Sequence, residues 1–548
     1  GIPAVKMAAK STRKFSEQRY RSRGQGCSHA QSLPDLRAMP STSADAPRRC
    51  HVVIAGAGPA GILAAINFLR RNKGGAASVE YSVSIVDPGE DFGELTPEGL
   101  EKKRSWMIGL SAHGLAALRR VPGLYTDHVS KVGVPIHTNA IYLGKSKFMA
   151  SDANVEGFVV DRNFVVAAMA RCLNDAFKDS GLLTRHYNSR VLYVDPDCRR
   201  VCVRGADGAD NFVSYDLLIG ADGIRSPVRA AFIRDMRDFT CSIRDTFSKF
   251  KSVHIPLPEG LEGDAVHLLP ECLRGMNGIG LPETGGKINV AMGWYLDNPP
   301  DEGLMSDDTG RVEKYLRAQW KAFPLPFEDF ARQFVAQPWS TTGQVHCNLY
   351  HSEKLCAIIM GDAAHATSPS IGQGMNTALA DAAALDVLLD SYLDDLAAVL
   401  PAFSVDRVKE GNALTDVAFY AFSMSAAQQL RLIVGQMLRN AGAKYLPSFI
   451  SPDAQLAVAK GGKLSAAYAE LTRTGWIPSV RAVNDTRMRK HFELSTGMVP
   501  TPAPRGRVWA SLRAMAVITV VVVLGLWAGG VEPAALLRLA AGRTIATM

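Results

Sequence analysis

Residues 51–87 read as strand, glycine turn, helix, strand, acid, and few folds accept that order. His51 to Ala55 (HVVIA) is a short apolar run of the kind buried in a parallel sheet. Gly56-Ala57-Gly58-Pro59-Ala60-Gly61 follows, then an apolar-periodic helix from Ile62 to Arg71. A second strand, Tyr81 to Val86, ends at Asp87. In a dinucleotide site Gly56 makes the tight turn, Gly58 admits a pyrophosphate to the backbone, and Gly61 lets helix and strand pack closely. The helix N-terminus draws the phosphate charge, and Asp87 would accept from an adenosine ribose hydroxyl. A glycine turn with only a structural role satisfies the six-residue pattern alone; the flanking strands, the helix and the acid favour the dinucleotide. The long loop from Asn72 to Glu80 delays that acid.

Two later motifs narrow the choice. Asp216 to Arg229 (DLLIGADGIRSPVR) reads as an apolar strand, a turn at Asp222-Gly223, and a helix start. Leu355 to His365 (LCAIIMGDAAH) is a second buried strand ending in Gly361-Asp362. Pro369, Gly372-Gln373-Gly374-Met375-Asn376 and an Ala-rich helix from Thr377 to Leu389 follow it. Either motif alone fits a strand-end Asp capping a helix. In this order after the glycine turn, they resemble the FAD-dependent aromatic-ring monooxygenases, the single-component flavoprotein hydroxylases. Within that family the chain is most similar to the kynurenine 3-monooxygenases, over about residues 50–450.

The resemblance implies an α/β (α+β) fold. A Rossmann-like FAD-binding domain would be interleaved with a mixed β-sheet substrate domain, followed by C-terminal helices and a single C-terminal transmembrane helix. It implies FAD as cofactor, NADPH or NADH as transient reductant, and O2 as co-substrate. One oxygen would enter an aromatic or apolar small molecule through a flavin hydroperoxide. Gly56 to Gly61 would hold the pyrophosphate and Asp87 the ribose. Arg162 would contact FAD, Val191 would lie at the adenine side, and Asp222 with Gly223 would serve FAD and the nicotinamide together. Gly361 and Asp362 would hold the ribityl or pyrophosphate region. Gly374, Met375 and Asn376 would sit at the flavin ring, with Pro369, Gly372 and Gln373 completing its loop.

That loop also has a physical reason to be there. Backbone N–H groups from Gly372 to Asn376 at a helix N-terminus stabilise negative charge without a basic side chain. No nucleophile and no metal ligand set is expected, because the cofactor carries the hard chemistry. His365 is expected to pack or hydrogen-bond at the strand end rather than act as a base. No second glycine fingerprint follows a strand; Gly205 to Gly208 reads as a hairpin turn. This favours the type of flavin hydroxylase in which the nicotinamide binds transiently in a groove.

Strand candidates Ser252–Leu257, Ala265–Leu269, Met276–Leu281 and Lys287–Trp294 define a substrate sheet within about 235–345. Helices are expected over Arg311–Phe334, Ala378–Leu400 and Ala413–Leu438. The family's substrate-carboxylate arginine falls here on Asn139, with His137 nearby, and a late asparagine falls on Ala421, next to Tyr420. No tyrosine lies in Lys147 to Val160, and only Lys103-Arg104-Ser105 survives of a glycine-arginine-serine motif. Losing these polar contacts implies a less polar substrate. A related reductase or epoxidase on a lipophilic substrate, or a non-catalytic membrane-tethered flavoprotein, remains an alternative. A halogenase is disfavoured because Gly475-Trp-Ile-Pro478 is the only trace of its signature.

The formal charge of +8 separates into basic ends and an acidic body. Residues 1–50 hold 10 Lys+Arg against 3 Asp+Glu, residues 481–548 hold 9 against 3, and the body holds 42 against 47. A nucleic-acid partner is not implied. Residues 1–50 suit either an organelle transit segment or a disordered basic tail. The FAD-binding body is assigned to 51–450, a helical extension and linker to 451–507, and a membrane anchor to 508–531, with a short tail at 532–548. Ala514 to Val531 is uncharged. As helix it spans ~27 Å, close to the thickness of a bilayer core. A buried core helix is the alternative reading. The charge order suits a tail anchor in an organelle membrane, most readily the mitochondrial outer membrane, with a plastid as the other possibility. Nine scattered cysteines without a CxxC pair exclude a disulfide scaffold or zinc ribbon.

Overall fold

The computed structural model describes residues 47–72, 79–143, 146–150, 157–295, 301–420 and 461–496, with isolated positions between 435 and 458. Contacts divide the chain into a unit ending at Val480 and a second from Arg481 onward, of which only part of the helix Trp476–Thr496 is described.

The nucleotide layer of the first unit is a six-stranded sheet. The order is His351–Ser352, Ala357–Ile359, Leu217–Gly220, Arg48–Ala55, Val79–Val86, Leu183–His186. Every pairing except the first is parallel. Val52, Val53, Ile54, Leu217, Leu218 and Ile219 have no exposure, as the unbroken apolar runs require of a sheet covered on both faces. Helix Pro59–Arg71 crosses over between the first two parallel strands, with Pro59 in its first turn, where a missing N–H costs nothing. Arg70 and Arg71 in its last turn converge with Arg120 on the buried carboxylate of Asp386, in helix Gly374–Ser391. This ties the first crossover helix to the helix that follows the last motif.

The second layer is a seven-stranded sheet. The order is Ser340–Cys347, Cys241–Pro256, Lys287–Tyr295, Met276–Glu283, Ala265–Leu273, Thr138–Leu143, Ser146–Ala150. All four expected strands are present, and three further strands extend the sheet beyond them. Helices Thr309–Gln319 and Phe327–Ala336 cover one face, where Val253, Ile255, Met292 and Trp294 meet Phe330 and Phe334. A three-stranded sheet of Met107–Leu110, Gly157–Asp161 and Gly133–Ile136 packs nearby through Ile136, Val159 and Leu281. Strands Arg190–Asp195, Arg200–Arg204 and Asp210–Ser214 form a fourth sheet. Its hairpin turn at Gly205–Gly208 has φ of +81° at Gly208, as expected for that glycine.

Two helix boundaries differ from expectation. Arg311–Phe334 is two helices, separated around Pro324 and Pro326, because proline lacks the N–H an interior position requires. Ala378–Leu400 breaks after Ser391, where Leu393 and Asp394 adopt φ of +52° and +60°, and a new helix runs from Leu396 to Tyr420. That helix contains the start of the expected Ala413–Leu438 segment. Among the described residues no helix is long and apolar enough to cross a membrane. The proposed span Ala514–Val531 and the basic segment 1–46 lie outside them.

Phe330 has no exposure and packs on Trp320 and Phe334. Phe330→Ala should cost about 3–5 kcal/mol of stability, measured by guanidinium denaturation, without moving residues of the nucleotide layer.

Candidate functional site

The three motifs meet at one place because their strands are neighbours in the sheet. Gly56 takes φ of +104°, and a Cβ there would stand 2.2 Å from the Ala221 carbonyl oxygen. Gly61 is closed as tightly: its Cβ would lie 2.0 Å from the Gly56 carbonyl oxygen. Gly58 is the opposite case. A Cβ there would meet nothing within 4 Å. The two outer glycines are therefore required by the protein's own packing, while the middle one borders open space at the N-terminus of helix Pro59–Arg71. No acidic residue lies in that first turn, so its dipole is free to attract a phosphate.

Asp87 braces this loop. Its Oδ2 accepts from the Ala57 N–H at 2.7 Å and its Oδ1 from the Gly89 N–H at 2.7 Å. Each oxygen keeps a lone pair for a ribose hydroxyl. Asp222 presents a different face. Its Oδ2 accepts from the Val228 N–H at 3.1 Å, while Oδ1 is out of solvent and has no partner. Burial pushes its carboxyl up to about 6, with hydrogen bonds from Ser226 and Val228 opposing. Gly223 follows at φ of +77° with open space around it. Arg229, in the helix that follows, donates to the Ile224 and Ala363 carbonyls and so links the Asp222 loop to the Asp362 loop.

At the third motif Gly361 has φ of +58°, and Asp362 begins the short helix Asp362–His365 with its side chain exposed. The anchor is Asp381 in helix Gly374–Ser391. Its Oδ2 accepts from the Gly361 N–H at 2.9 Å and contacts His365 Nε2 at 2.6 Å. Its Oδ1 accepts from Arg407 Nε at 2.7 Å. Burial works against the charge, but His365 and Arg407 outweigh it and hold Asp381 down at about 2. His365 is thus a buried structural partner.

The loop ahead of that helix is a 3-10 turn, Pro369–Ile371, then Gly372 at φ of +63° and Gln373. Asn376 is fully buried, and its amide is consumed by backbone. It accepts from the Ser111 N–H at 2.9 Å and donates to the Gly109 and Gly372 carbonyls at 2.9 Å each. A Cβ at Gly114 would lie 2.2 Å from its oxygen. Ser111 Oγ also hydrogen-bonds Gln373, and Ser370 Oγ donates to the Ala418 carbonyl. Asn376 therefore clamps the loop, while Met375 beside it is half-buried. The first turn of helix Gly374–Ser391 contains no acidic residue.

Arg162 is exposed at the first position of helix Arg162–Phe177, capped by Asp161, and its guanidinium lies 5.0 Å over the Trp106 ring. Val191 is buried near the start of its strand. Tyr420 is buried beside Phe419, two residues beyond the carbonyl that receives Ser370. His137 and Asn139 are exposed, Asn139 on the strand that pairs with Val266 and Ala150. Ala421 lies outside the described residues. The residues that the motifs do not announce are Asp381, Arg407 and Ser111, while Arg229 closes the stretch Asp216–Arg229 without its linking role being visible there. A charged residue inside the apolar run Ala378–Ala384 was the available signal for Asp381.

The residues fit FAD: open space at Gly58, an unpartnered buried oxygen at Asp222, and two helix N-termini without acids. A family model described as an FAD binding domain matches residues 162–416. Violacein synthase of Chromobacterium violaceum is 27% identical over 383 residues, 67% of this chain and 83% of that protein. Kynurenine 3-monooxygenase of Sus scrofa is 25% identical over 389 residues, 68% of this chain and 76% of that protein. The solved structure of 2-methyl-3-hydroxypyridine-5-carboxylic acid oxygenase has a TM-score of 0.52 at 18% identity, covering 68% of this chain and 91% of that one. PqsL of P. aeruginosa in complex with 2-aminobenzoylacetate has a TM-score of 0.52 at 18% identity, covering 68% and 95%. Sequence matches and cradle together define an FAD-dependent oxidoreductase. Over residues 162–416 the chain matches an FAD binding domain, and it is similar to FAD-dependent aromatic monooxygenases.

Gly58→Ala should leave the stability of the FAD-free protein unchanged and weaken FAD retention, while Gly61→Ala should destabilise the protein itself. Thermal melts with and without FAD separate the two. Asp381→Asn should cost about 3 kcal/mol, because Arg407 stays buried without its main counter-ion. The Asp381 contribution is present above the ordinary value of 3.8 and lost as pH falls toward about 2. The stability gap between wild type and variant should therefore narrow across that window.

Proposed function

We propose that this protein is an NAD(P)H-consuming monooxygenase that places one oxygen atom of O2 on a small aromatic or weakly polar molecule. The observation that carries the proposal is the convergence of the glycine loop, the Asp222 loop and the Asp362 loop on one cradle, with the clamped Gly372–Asn376 turn beside it. Bound FAD supplies electron uptake from the nicotinamide and O2 activation. The chain's own contribution is positional. The N-terminus of helix Pro59–Arg71 would receive phosphate charge at Gly58, and Asp87 would offer oxygens to a ribose. The N-terminal backbone of helix Gly374–Ser391 would offer N–H groups to negative charge on a bound flavin ring, and Asn376 holds that turn in place through Ser111, Gly109 and Gly372.

The substrate side is read as low in polarity. Tyr420 and Phe419 supply aromatic surface near the Ser370 turn, while His137 and Asn139 stand exposed in place of an arginine. The curated relatives named for kynurenine and violacein, and the neighbour bound to 2-aminobenzoylacetate, support an aromatic substrate class. The run Ala514–Val531 is proposed to attach the protein to a membrane. Flotation of the full chain with liposomes, set against a chain ending before Arg505, tests that attachment.

The catalytic proposal is tested on purified FAD-bound protein. Candidate aromatic and isoprenoid compounds are screened for stimulated NADPH or NADH oxidation, with mass spectrometry of products formed under labelled O2. A stimulating compound whose product carries one labelled oxygen is the expected result. Stimulated oxidation that yields only reduced, unlabelled product would overturn the monooxygenase assignment in favour of a reductase. Efficient hydroxylation of kynurenine would overturn the low-polarity reading of the substrate side.

A further inference from the structure

Cys241 opens the longest strand of the substrate sheet, and Cys347 closes the neighbouring strand Ser340–Cys347. The antiparallel register sets the two directly opposite each other, with their sulfurs 3.7 Å apart. On the next rung the Asn348 N–H donates to the Thr240 carbonyl. Hydrogen-bonded and open rungs alternate, so the cysteine rung is an open one, where facing Cα atoms stand about 4.5 Å apart. The Cys347 carbonyl confirms this by turning away from the ladder to accept from Asn412 Nδ2 at 3.1 Å. A disulfide spans Cα separations of about 4.4–6.8 Å, so bond formation asks for side-chain rotation and no movement of strands.

The two thiols differ in access. Cys241 is half-buried and Cys347 is buried. The Cys347 thiol donates its hydrogen bond to Cys241. That bond, with Arg229 and His346 nearby, brings the Cys241 thiol down to about 7 against its burial. Burial instead pushes Cys172 up to about 11 and Cys50 and Cys272 up to about 12. Of these four thiols, Cys241 is the one brought toward neutral pH.

We propose that Cys241 and Cys347 form a reversible dithiol–disulfide pair that is oxidised by hydrogen peroxide. The Cys241 thiolate attacks one peroxide oxygen. The O–O bond breaks, leaving a sulfenic acid on Cys241 and releasing hydroxide, which takes up a proton to give water. The Cys347 sulfur then attacks the Cys241 sulfur, the S–O bond breaks, and a second water leaves as the S–S bond forms. Two thiols lose two electrons and one peroxide gains them. The pair lies close to Arg229, which spans the two FAD-facing loops, so the modification falls next to the cofactor cradle and outside it.

The test uses the full FAD-bound chain, exposed to increasing hydrogen peroxide, alkylated, and digested with trypsin without reductant. The expected product is peptide 238–244 joined to peptide 333–354, which separates on treatment with dithiothreitol. In Cys347→Ser, dimedone should trap Cys241 as the sulfenic acid. The proposal is overturned if the wild-type protein shows Cys241 advancing to sulfinic acid without the cross-link. It also fails if both cysteines stay alkylatable after surface methionines have oxidised, or if the link appears only in denaturant. The wild-type result stands whether or not the variant folds.

Discussion

A buried carboxylate that must stay ionised constrains much of this architecture. Asp381 sits in the core of helix Gly374–Ser391 with no exposure. Its charge is tolerable only because Arg407, His365 and the Gly361 N–H surround it. Those partners come from the following helix, the short helix after the last nucleotide strand, and the turn between that strand and the short helix. The carboxylate therefore fixes the distance between the strand end that carries Asp362 and the helix that starts at the Gly372–Asn376 turn. A second ionic hub, Asp386 with Arg70, Arg71 and Arg120, fixes the same helix to the first crossover helix. The cofactor cradle is held from behind by charge, while its own surface is glycine and open backbone.

That division explains what could be read from the sequence. Positions where the backbone itself approaches a ligand leave a mark in one dimension, because only glycine fits, as at Gly56 and Gly61. Strands buried on both faces leave unbroken apolar runs, and the strands at 51–55, 217–220 and 357–359 were legible for that reason. The hairpin at Gly208 was legible too. The supports were not. Asp381 meets Arg407 across 26 residues, and Arg229 meets the Ala363 carbonyl across 134. Nothing local distinguishes such residues from surface charges except their apolar neighbourhood. Helix boundaries slipped where prolines or positive-φ residues interrupted an apolar pattern whose period continued. The substrate side was the least legible, since its candidates come from separate elements and one of them, Ala421, lies outside the described residues.

The two layers also divide labour by polarity. The nucleotide sheet is apolar on both faces and carries its chemistry at strand ends, where parallel strands deliver loops to one edge. The seven-stranded sheet buries one face under two helices. Its other side meets the smaller sheet through a thin apolar contact flanked by Ser105, Asp161, His254 and Glu283. A joint of that kind holds its partners in register without fusing their cores. Variation in the second layer therefore has room to occur without disturbing the cradle.

The saturated amide of Asn376 has a consequence for redesign. A side chain whose oxygen and both hydrogens are already committed to Ser111, Gly109 and Gly372 has nothing left to offer a ligand. Efforts to redirect the range of molecules accepted here would gain nothing by randomising that position and would loosen the turn. Its neighbours Gln373 and Met375 carry no such commitment to three backbone groups at once. A combinatorial library that freezes Asn376 and diversifies around it explores new pockets on an unchanged frame.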